Sequence, residues 1–391
     1  MEPILRFIEE TWSSEKLGNL CKITMGQSPS SKNYSKNSND TILIQGNADL
    51  ISGKIVPRIY TSEITKLSYP GDIILTVRAP VGDLAINEFD SCIGRGVCSI
   101  KGNKFIYYYL ESLKDKHVWE RLSQGSTFES VNSNDIKNLN LKIPSNSTQN
   151  HIINFFTAID TKIELLQKKH GEYIRFKQYL MQNIFADKSA EKLRFDFKDT
   201  WDKVLLKDVA FIPKKTKLTN VEGLKLLTVK LHTKGIEIND RIKPKLTKRG
   251  RPYYIRRSGE LLIGRQNFHN GGMGIVPKSL DGGICSNAIS SFNVFEDKID
   301  VNYLYYFLAR PEYYIKSERL IGGTGQKEFS EKELLKLKID LPSLEEQNKI
   351  VDFLLNIDHK IELSENQLNK TQEFKKGLLQ QMFDNMLLFK L

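Results

Sequence analysis

The stretch QNHIINFFTAIDTKIELLQ, which runs from Gln149 to Gln167, is repeated further along the chain as QNKIVDFLLNIDHKIELSE, from Gln347 to Glu365. The two copies are related by an offset of 198, the difference between 347 and 149, and no gap interrupts the correspondence over the surrounding 42 or so positions. Chance amphipathic similarity would not keep IDTKIEL and IDHKIEL in register. The sequence therefore predicts an internal duplication.

Each copy has the periodicity of a long helix whose inward positions alternate in steps of four and three. In the first copy these positions are Ile152, Phe156, Ile159, Ile163, Leu166, His170, Tyr173, Lys177, Leu180 and Ile184. In the second copy they are Ile350, Leu354, Ile357, Ile361, Ser364, Leu368, Thr371, Lys375, Leu378 and Met382. Pro144 and Pro342 lie just before the two helix starts, which Ser147 or Ser343 is expected to cap.

Such a seam cannot stay exposed to water, so we expect the two helices to pair antiparallel within the chain. About 40 residues at ~1.5 Å per residue give a rod on the order of 60 Å. We predict a helix interface built by Ile152, Phe156, Ile159, Ile163, Leu166, Ile350, Leu354, Ile357, Ile361 and Leu368. His170 lies on the same seam, which favours a packed interior histidine over a ligand.

The segments before the helices also correspond, with an offset that rises from 188 to 198: GDII with GELL, Cys92 with Cys285, and YYYL with YYFL. We predict strands at 42–45, 73–77, 97–100, 226–229, 261–263 and 291–294, and short helices near 107–113 and 301–309. The fold class is α+β, with two mixed α/β domains separated by an intramolecular antiparallel two-helix coiled coil and related by pseudo-two-fold symmetry. The predicted boundaries are 1–143 and 201–341 for the domains, and 144–200 and 342–391 for the helical regions.

Composition narrows the class of protein. The 391 residues carry a formal net charge of +11, which favours a polyanionic partner. No apolar run is long enough to span a membrane, and the first residues do not resemble a signal peptide, so we expect a cytoplasmic protein. The four cysteines form no CxxC pair, and neither a zinc site nor a disulfide framework is expected.

Motifs for catalysis are missing from the sequence. There is no P-loop, no GxGxxG after a strand, no NPPY or DPPY tetrapeptide of an amino-methyltransferase, and no metal-nuclease motif. We therefore expect a non-catalytic chain that binds no metal or cofactor.

Two polar regions are candidates for DNA contact. The first is the loop GQSPSSKNYSKNSND with the later Arg78, which contributes Ser28, Ser30, Ser31, Lys32, Asn33, Tyr34, Lys36 and Arg78. The second is RIKPKLTKRGRPYYIRR with neighbouring segments, which contributes Lys214, Lys215, Arg241, Lys243, Lys245, Lys248, Arg249, Arg251, Tyr253, Tyr254, Arg256, Arg257, Arg265, Gln266, Asn267 and His269. Lys and Arg neutralise phosphates, and Arg, Asn and Gln contact base edges. A mobile surface loop and a solvated strand face remain the alternatives.

The two helices, the FKQYLMQNIF…KLRF stretch and the openings Trp12-x4-Leu17-Gly18 and Trp201-x4-Leu206-Lys207 resemble the specificity subunit of type I restriction-modification systems. Lys207 departs from the family's usual glycine. The resemblance implies two target-recognition domains that read a bipartite double-stranded DNA site. It also implies two methyltransferase and two restriction subunits as partners, which hold S-adenosylmethionine, ATP and Mg. The duplicated helices would set the half-site separation, near one helical turn of about 10 bp.

Three other interpretations stay open from the sequence. They are a fused catalytic restriction or modification enzyme, a similar recognition part of a type IIG or IIB system, and a coiled-coil scaffold that ignores DNA. Methyl transfer by the pure chain would favour the first, and an absence of DNA preference would favour the last.

Overall fold

The computed structural model describes residues 11–114, 117–123, 130–185, 193–247, 250–317 and 328–384. The chain divides into two compact units. Unit 1 is built from two segments, residues 1–168 and 365–391, and unit 2 is the single segment 169–364. Each unit contains one mixed α/β domain and one segment of each long helix. Among the described residues, no helix is long and apolar enough to cross a membrane.

Unit 1 contains three sheets in the part of the chain that is described. Their orders are β1-β13, β2-β12-β9-β10-β6-β5 and β3-β7-β4-β11-β8. The strands are β1 Ser13–Lys16, β2 Lys22–Met25, β3 Tyr34–Ser35, β4 Thr41–Ile44, β5 Leu50–Ile51, β6 Lys54–Ile55, β7 Tyr60–Thr61, β8 Leu67–Ser68, β9 Ile73–Thr76, β10 Leu84–Ile86, β11 Ser91–Ile93, β12 Val97–Lys101 and β13 Asn140–Ile143. The helices are α1 Leu17–Leu20, α2 Lys104–Lys114, α3 Val118–Ser123, α4 Ser133–Lys137 and the long α5 Asn146–Ile184, which continues into unit 2.

Unit 2 repeats this plan with smaller sheets, ordered β14-β23, β15-β22-β19-β20, β16-β17 and β18-β21 among its described residues. The strands are β14 Asp202–Leu205, β15 Ala210–Phe211, β16 Leu227–Val229, β17 Ile236–Ile238, β18 Tyr253–Ile255, β19 Leu261–Gly264, β20 Met273–Ile275, β21 Ile284–Ser286, β22 Ile289–Val294 and β23 Lys338–Leu341. The helices are α6 Leu206–Val209, α7 Val301–Leu308, α8 Pro311–Ser317, α9 Glu331–Leu334 and the long α10 Leu344–Asp384, which continues into unit 1. The predicted strands and short helices are confirmed, with boundaries shifted by a few residues.

The central strands of both units are apolar on both faces because each face has its own core. In unit 1, Ile73 and Leu75 of β9 face the large core that includes α2, whereas Ile74 between them faces a smaller cluster with Val97. In unit 2, Leu261 and Ile263 face the large core, and Leu262 faces the smaller one. Alternation of side chains along a strand produces this two-sided burial.

A glycine turn begins the central strand in both units. Gly71 and Gly259 have φ of 92° and 88°, a region that favours glycine. Their N–H groups donate to the carbonyls of Asn87 and Val276 at 2.8 and 2.9 Å. The matching sequences GDII and GELL therefore form matching turns with the same backbone hydrogen bond.

The long helices pair antiparallel within each unit, as the seam predicts. In unit 1, Ile152 and Phe156 near the start of α5 are fully buried in one core with Leu378 and Met382 near the end of α10. In unit 2, the end of α5 shares a core with the start of α10, through Leu180, Ile184, Ile350, Leu354 and Ile357. Ile163, Leu166 and Leu368 are only partly buried. His170 is an interior residue, since its Nδ1 lies 2.9 Å from Ser364 Oγ.

The helix starts match in detail, with one correction. Ser145 Oγ accepts from Thr148 N and Ser343 Oγ accepts from Glu346 N, both at 3.3 Å. The first cap is therefore Ser145, which corresponds to Ser343 by the offset of 198. Ser147, the predicted cap, lies inside α5 because the helix begins at Asn146.

A buried lysine ties the domain of unit 1 to both long helices. Tyr108 of α2 donates to Asp160 Oδ2 of α5 at 2.8 Å, and Lys375 Nζ of α10 lies 2.8 Å from Asp160 Oδ1. The same ammonium lies 5.4 Å from the centre of the Tyr108 ring and 2.8 Å from Glu111 Oε2. Lys375 occupies a position of the apolar seam, and its ammonium is accommodated there because the carboxylates of Glu111 and Asp160 pair with it.

Unit 2 contains the same triad with the helices exchanged. Tyr306 of α7 donates to Asp358 Oδ2 of α10 at 2.7 Å, and Lys177 Nζ of α5 lies 2.5 Å from Asp358 Oδ1. Lys177 also lies 5.4 Å from the centre of the Tyr306 ring. All three residues are displaced by 198 from their counterparts in unit 1, so the duplication extends to individual polar contacts.

Candidate nucleic-acid interface

The predicted loop of unit 1 and Arg78 meet in an open cleft of about 590 Å³. Four predicted residues line it: Ser28, Ser31, Tyr34 and Arg78. Ser30, Lys32 and Lys36 are exposed on the same loop but do not line the cleft, and Asn33 is half-buried. The sequence pattern therefore located one wall of a polar depression.

Sequence reasoning missed the opposite walls of the cleft. Gln45 and Asn47 follow β4, and Arg95 precedes β12. A signal was available, since Arg95 lies between two glycines and Gln45 directly follows a buried strand. Only the tertiary structure shows that these residues share a site with Arg78: β9 pairs with β12, and the Gly94 N–H donates to the carbonyl of Ile44 at the end of β4 at 2.8 Å.

Close backbone packing fixes the cleft. A Cβ on Gly96 would stand 2.0 Å from the carbonyl oxygen of Gln45, and one on Gly26 would stand 2.1 Å from that of Gly94. Side chains larger than hydrogen would force these segments apart. Gln45 also donates from Nε2 to the Tyr34 hydroxyl at 2.6 Å, which joins two walls of the cleft.

Asn33 has a structural role in the loop. Its Nδ2 donates to Glu63 Oε2 at 2.6 Å, and the Ser30 N–H donates to the same oxygen at 2.9 Å. These hydrogen bonds, with Asn33 contributing most, lower the pKa of the Glu63 carboxyl. The Asn33 amide is therefore engaged in holding the loop.

Unit 2 presents the predicted basic segment at its surface. Six of the cations there are exposed: Lys214, Arg241, Lys243, Lys245, Arg251 and Arg257. Arg257 Nη1 lies 3.4 Å from Asp281 Oδ2 at the surface. Tyr253 and Tyr254 are half-buried in β18, which pairs with β21. Lys248 and Arg249 lie outside the described residues.

Two predicted cations of unit 2 are held inside the domain. The prediction for Arg256 is wrong: its side chain is 1% exposed, and it donates from Nη1 to Ser291 Oγ at 2.8 Å and from Nη2 to the Ile289 carbonyl at 2.9 Å. Its charge also opposes the rise that burial causes in the pKa of the interior Glu260. Lys215 forms an ion pair with Glu331.

The segment Arg265–His269 also differs from the prediction. Arg265 Nη2 lies 2.5 Å from Glu328 Oε1, and Gln266 Nε2 donates to Glu328 Oε2 at 3.3 Å. His269 is half-buried and contacts the amide of Asn270. Only Asn267 of this segment is exposed. Arg265 is therefore an ion-paired residue at the edge of the core rather than an open DNA contact.

Backbone pairing gives the residue correspondence between the two sites. Val77 N donates to Gly96 O at 2.9 Å, and Arg265 N donates to Ala288 O at 3.0 Å. Val131 N donates to Val77 O and Phe329 N to Arg265 O, at 3.0 and 3.1 Å.

Arg265 thus matches Val77, a buried position, so Arg78 is not its counterpart. Arg78 follows Val77 and Gln266 follows Arg265, so Arg78 corresponds to Gln266. Arg95 precedes Gly96 and Asn287 precedes Ala288, so Arg95 corresponds to Asn287. The two units place different polar side chains at equivalent backbone positions.

The observed duplication agrees with the comparisons with known proteins. The family model "Type I restriction modification DNA specificity domain" matches residues 9–172 and, a second time, residues 198–373. A putative type I restriction enzyme specificity subunit, MjaX of Methanocaldococcus jannaschii, is 36% identical over 191 residues, 46% of this chain and 44% of that protein. The match thus spans less than half the length of that relative.

Solved structures show the same fold. The S subunit of the type I restriction-modification system from M. genitalium has a TM-score of 0.64 at 16% identity, covering 96% of each chain. A chain from a structure on complex assembly and conformational transition of the type I R-M system has a TM-score of 0.55 at 19% identity, covering 95% of this chain and 97% of that one. Because the family model covers most of the sequence in two copies, this chain belongs to the DNA specificity subunits of type I restriction-modification systems.

Proposed function

We propose that each unit of this specificity subunit reads one half of a bipartite double-stranded DNA site. The observation that carries the proposal is the pair of equivalent strand ends that bear different polar residues, Arg78 and Arg95 in unit 1 and Gln266 and Asn287 in unit 2. Two domains that recognise different DNA sequences need the same backbone framework and different side chains at the positions that contact the bases. The exposed cations of unit 2 supply phosphate contacts that position the duplex.

We further propose that the long helices hold two methyltransferase subunits. Each unit exposes a leucine from one long helix and a phenylalanine from the other, at positions that match by the offset of 198. In unit 1 these are Leu165, 63% exposed, and Phe374, 58% exposed. In unit 2 they are Leu363, 46% exposed, and Phe176, 43% exposed. Two copies of one apolar surface fit two copies of one partner.

A shallow groove of about 310 Å³ adjoins this surface in unit 1. It is lined by Ile159, Lys162, Lys370, Thr371 and Phe374. An apolar floor with lysines at its rim suits a partner helix that carries both apolar and acidic residues. The proposal predicts that Phe374→Ala together with Phe176→Ala weakens binding to the methyltransferase subunit, measured by titration, whereas the exposed control Gln178→Ala does not. Equal binding by all three proteins would contradict it.

The chemistry of modification and cleavage is proposed to belong to the partners. Two methyltransferase subunits would hold S-adenosylmethionine, and two restriction subunits would use ATP and Mg. The specificity subunit would be non-catalytic and bind no cofactor itself. The support for this assignment is membership of the family, together with the two docking surfaces. Methyl transfer from labelled S-adenosylmethionine to DNA by the pure chain would overturn it.

The spacing between half-sites is proposed to depend on the lengths of α5 and α10. Removing about four residues, roughly one helical turn, from a single helix is expected to change the preferred spacer or to prevent assembly, with the half-site sequences retained. Sequencing of methylated bases in cells with and without this chain tests the main proposal.

A two-part motif that disappears with the chain supports it, and no such motif contradicts it. Exchange of residues 201–341 for those of a related protein should change one half only. A change in both halves would show that the units do not read independently.

A further inference from the structure

We propose that Arg78 and Arg95 are base-reading residues and that the half-site contacted by unit 1 contains guanine where these arginines enter the major groove. This inference rests on the proposed function, because it requires a DNA duplex to lie against the cleft of unit 1. It adds the identity of a base and of the two side chains that recognise it.

The described residues leave the two guanidinium groups available for a ligand. Both side chains are exposed, and among the described residues neither guanidinium takes part in an ion pair or a hydrogen bond. Arg58 of the same unit differs, since its Nε lies 2.9 Å from Asp49 Oδ1. An arginine without a carboxylate partner keeps five N–H donors for recognition.

The fold directs both arginines into one place. The hydrogen bond from Val77 N to Gly96 O holds the ends of β9 and β12 side by side, so Arg78 and Arg95 leave neighbouring strand ends. Both line the cleft, and no Asp or Glu is found among the described residues that line it. The close approach of Gly96 to the Gln45 carbonyl fixes the backbone next to Arg95. A rigid support is what accurate base recognition needs.

The chemistry of the side chains selects the base. The planar fork of arginine matches O6 and N7 of guanine in the major groove, whereas lysine is a point charge suited to phosphate. The equivalent positions of unit 2 carry Gln266, whose Nε2 also donates to Glu328, and Asn287; amides of this kind match N6 and N7 of adenine. The same two backbone positions therefore carry side chains for different bases. This contrast would not be expected if both sites contacted only phosphates.

The test uses the full chain purified with its methyltransferase subunits and selection of bound duplexes from a random pool. Arg78→Gln and Arg95→Asn introduce the residues found in unit 2, and Arg78→Lys and Arg95→Lys keep the charge without the fork. Lys101→Gln, an exposed residue at the far end of β12, is the control. The wild-type complex should select a two-part site with guanine in one half.

Each of the four arginine variants should lose preference for guanine at one position of that half by about tenfold or more. The other half and the spacer should stay unchanged, which also shows that the variant is folded and assembled. Lys101→Gln should select the wild-type site.

Three results would overturn the inference while leaving the proposed function intact. They are a wild-type half-site without guanine at the affected position, full guanine preference in the lysine variants, and an equal loss of affinity for all sequences. The last would identify the arginines as phosphate contacts. Failure of the wild-type complex to select any two-part site would instead refute the proposed function, and the inference with it.

Discussion

Unit 1 and unit 2 agree in their interiors and differ at the ends of their central strands. The Tyr–Asp–Lys triads repeat at the same offset, with ring-to-ammonium distances of 5.4 Å in both. At the strand ends, Arg78 is replaced by Gln266, and Ser130 of unit 1 is replaced by the ion-paired Glu328. Interior contacts must satisfy packing and burial in every copy, whereas a side chain facing a ligand is constrained only by that ligand. The comparison therefore separates framework from recognition.

The largest expected effects test whether the two cores are equivalent. Phe156→Ala and Leu354→Ala remove fully buried side chains at matching positions of the two helices. Each should lower the free energy of unfolding by about 3 kcal/mol or more, because a cavity remains in a packed core. Urea unfolding followed by circular dichroism measures both. The exposed Phe176→Ala and Phe374→Ala should cost less than about 0.5 kcal/mol, and a similar cost at all four sites would contradict the assigned seam.

A smaller effect concerns Arg310, whose counterpart at the offset of 198 is Ser112. Ser112 Oγ donates to the Tyr109 carbonyl at 2.7 Å, and Arg310 Nε donates to the equivalent carbonyl of Phe307 at 2.9 Å. Arg310 is 5% exposed and also donates from Nη1 to the Phe185 carbonyl at 2.8 Å.

Arg310→Ser keeps at most one of these hydrogen bonds and leaves a void. It should lower the free energy of unfolding by about 2–3 kcal/mol. Ser112→Ala in unit 1 should cost about 1 kcal/mol. Chemical denaturation of both variants decides whether the two positions differ in the expected direction.

The triads should differ in strength because Lys375 is the more buried lysine. Its side chain is 11% exposed and faces two carboxylates, those of Glu111 and Asp160, whereas that of Lys177 is 27% exposed and pairs with Asp358. Lys375→Met should cost about 2 kcal/mol and Lys177→Met about 1 kcal/mol, since removal of the ammonium leaves partly buried carboxylates unpaired. Equal costs would show that Glu111 adds nothing to the triad of unit 1.

The triad of unit 1 also has a pH dependence with a defined sign. Burial by itself lowers the pKa of the Lys375 ammonium, but Glu111 and Asp160 outweigh it and raise the pKa above the ordinary 10.5. A raised folded-state pKa gives stability that is present below about pH 10.5 and is lost as the pH rises through the folded value. The difference in melting temperature between wild type and Lys375→Met should therefore stay constant from pH 8 to about pH 10 and narrow as the pH rises above about 10.5.

The smallest expected effect is in the middle of the seam. His170 and Ser364 correspond to Leu368 and Leu166, so unit 2 has a polar pair where unit 1 has two leucines. His170→Leu combined with Ser364→Leu should change the free energy of unfolding by less than about 1 kcal/mol, because a hydrogen-bonded pair is replaced by apolar contact. A polar pair can fix helix register. Altered DNA spacer preference in the double variant, with stability unchanged, would assign it that role.

Periodicity and repetition made the long helices predictable. The seam, its antiparallel pairing within each unit and the central strands all follow from the spacing of apolar residues. The role of the interrupting lysines did not follow, because their carboxylate partners lie on other elements. The cap at Ser145 was missed because Ser145 and Ser147 both lie near the helix start, and the sequence alone does not show that the helix begins between them at Asn146.

The candidate site was less predictable than the fold. Basic composition located the exposed cations of unit 2 but could not tell Arg256 from Arg257, although one is buried and the other exposed. Burial of a charged residue depends on partners such as Ser291, which lies 35 residues away along the chain. Arg95, Gln45 and Asn47 were missed because their common cleft exists only once three strand ends are brought together.

The sequence by itself determined that a domain and a helix occur twice, because the offset between the copies and the spacing of the apolar residues can be read directly from it. Tertiary structure alone decided which polar residues share a cleft and which cations are held inside. Those properties depend on pairing between strands distant in sequence, and the physical cost of an unpaired charge in the interior assigns each arginine either to the framework or to the surface.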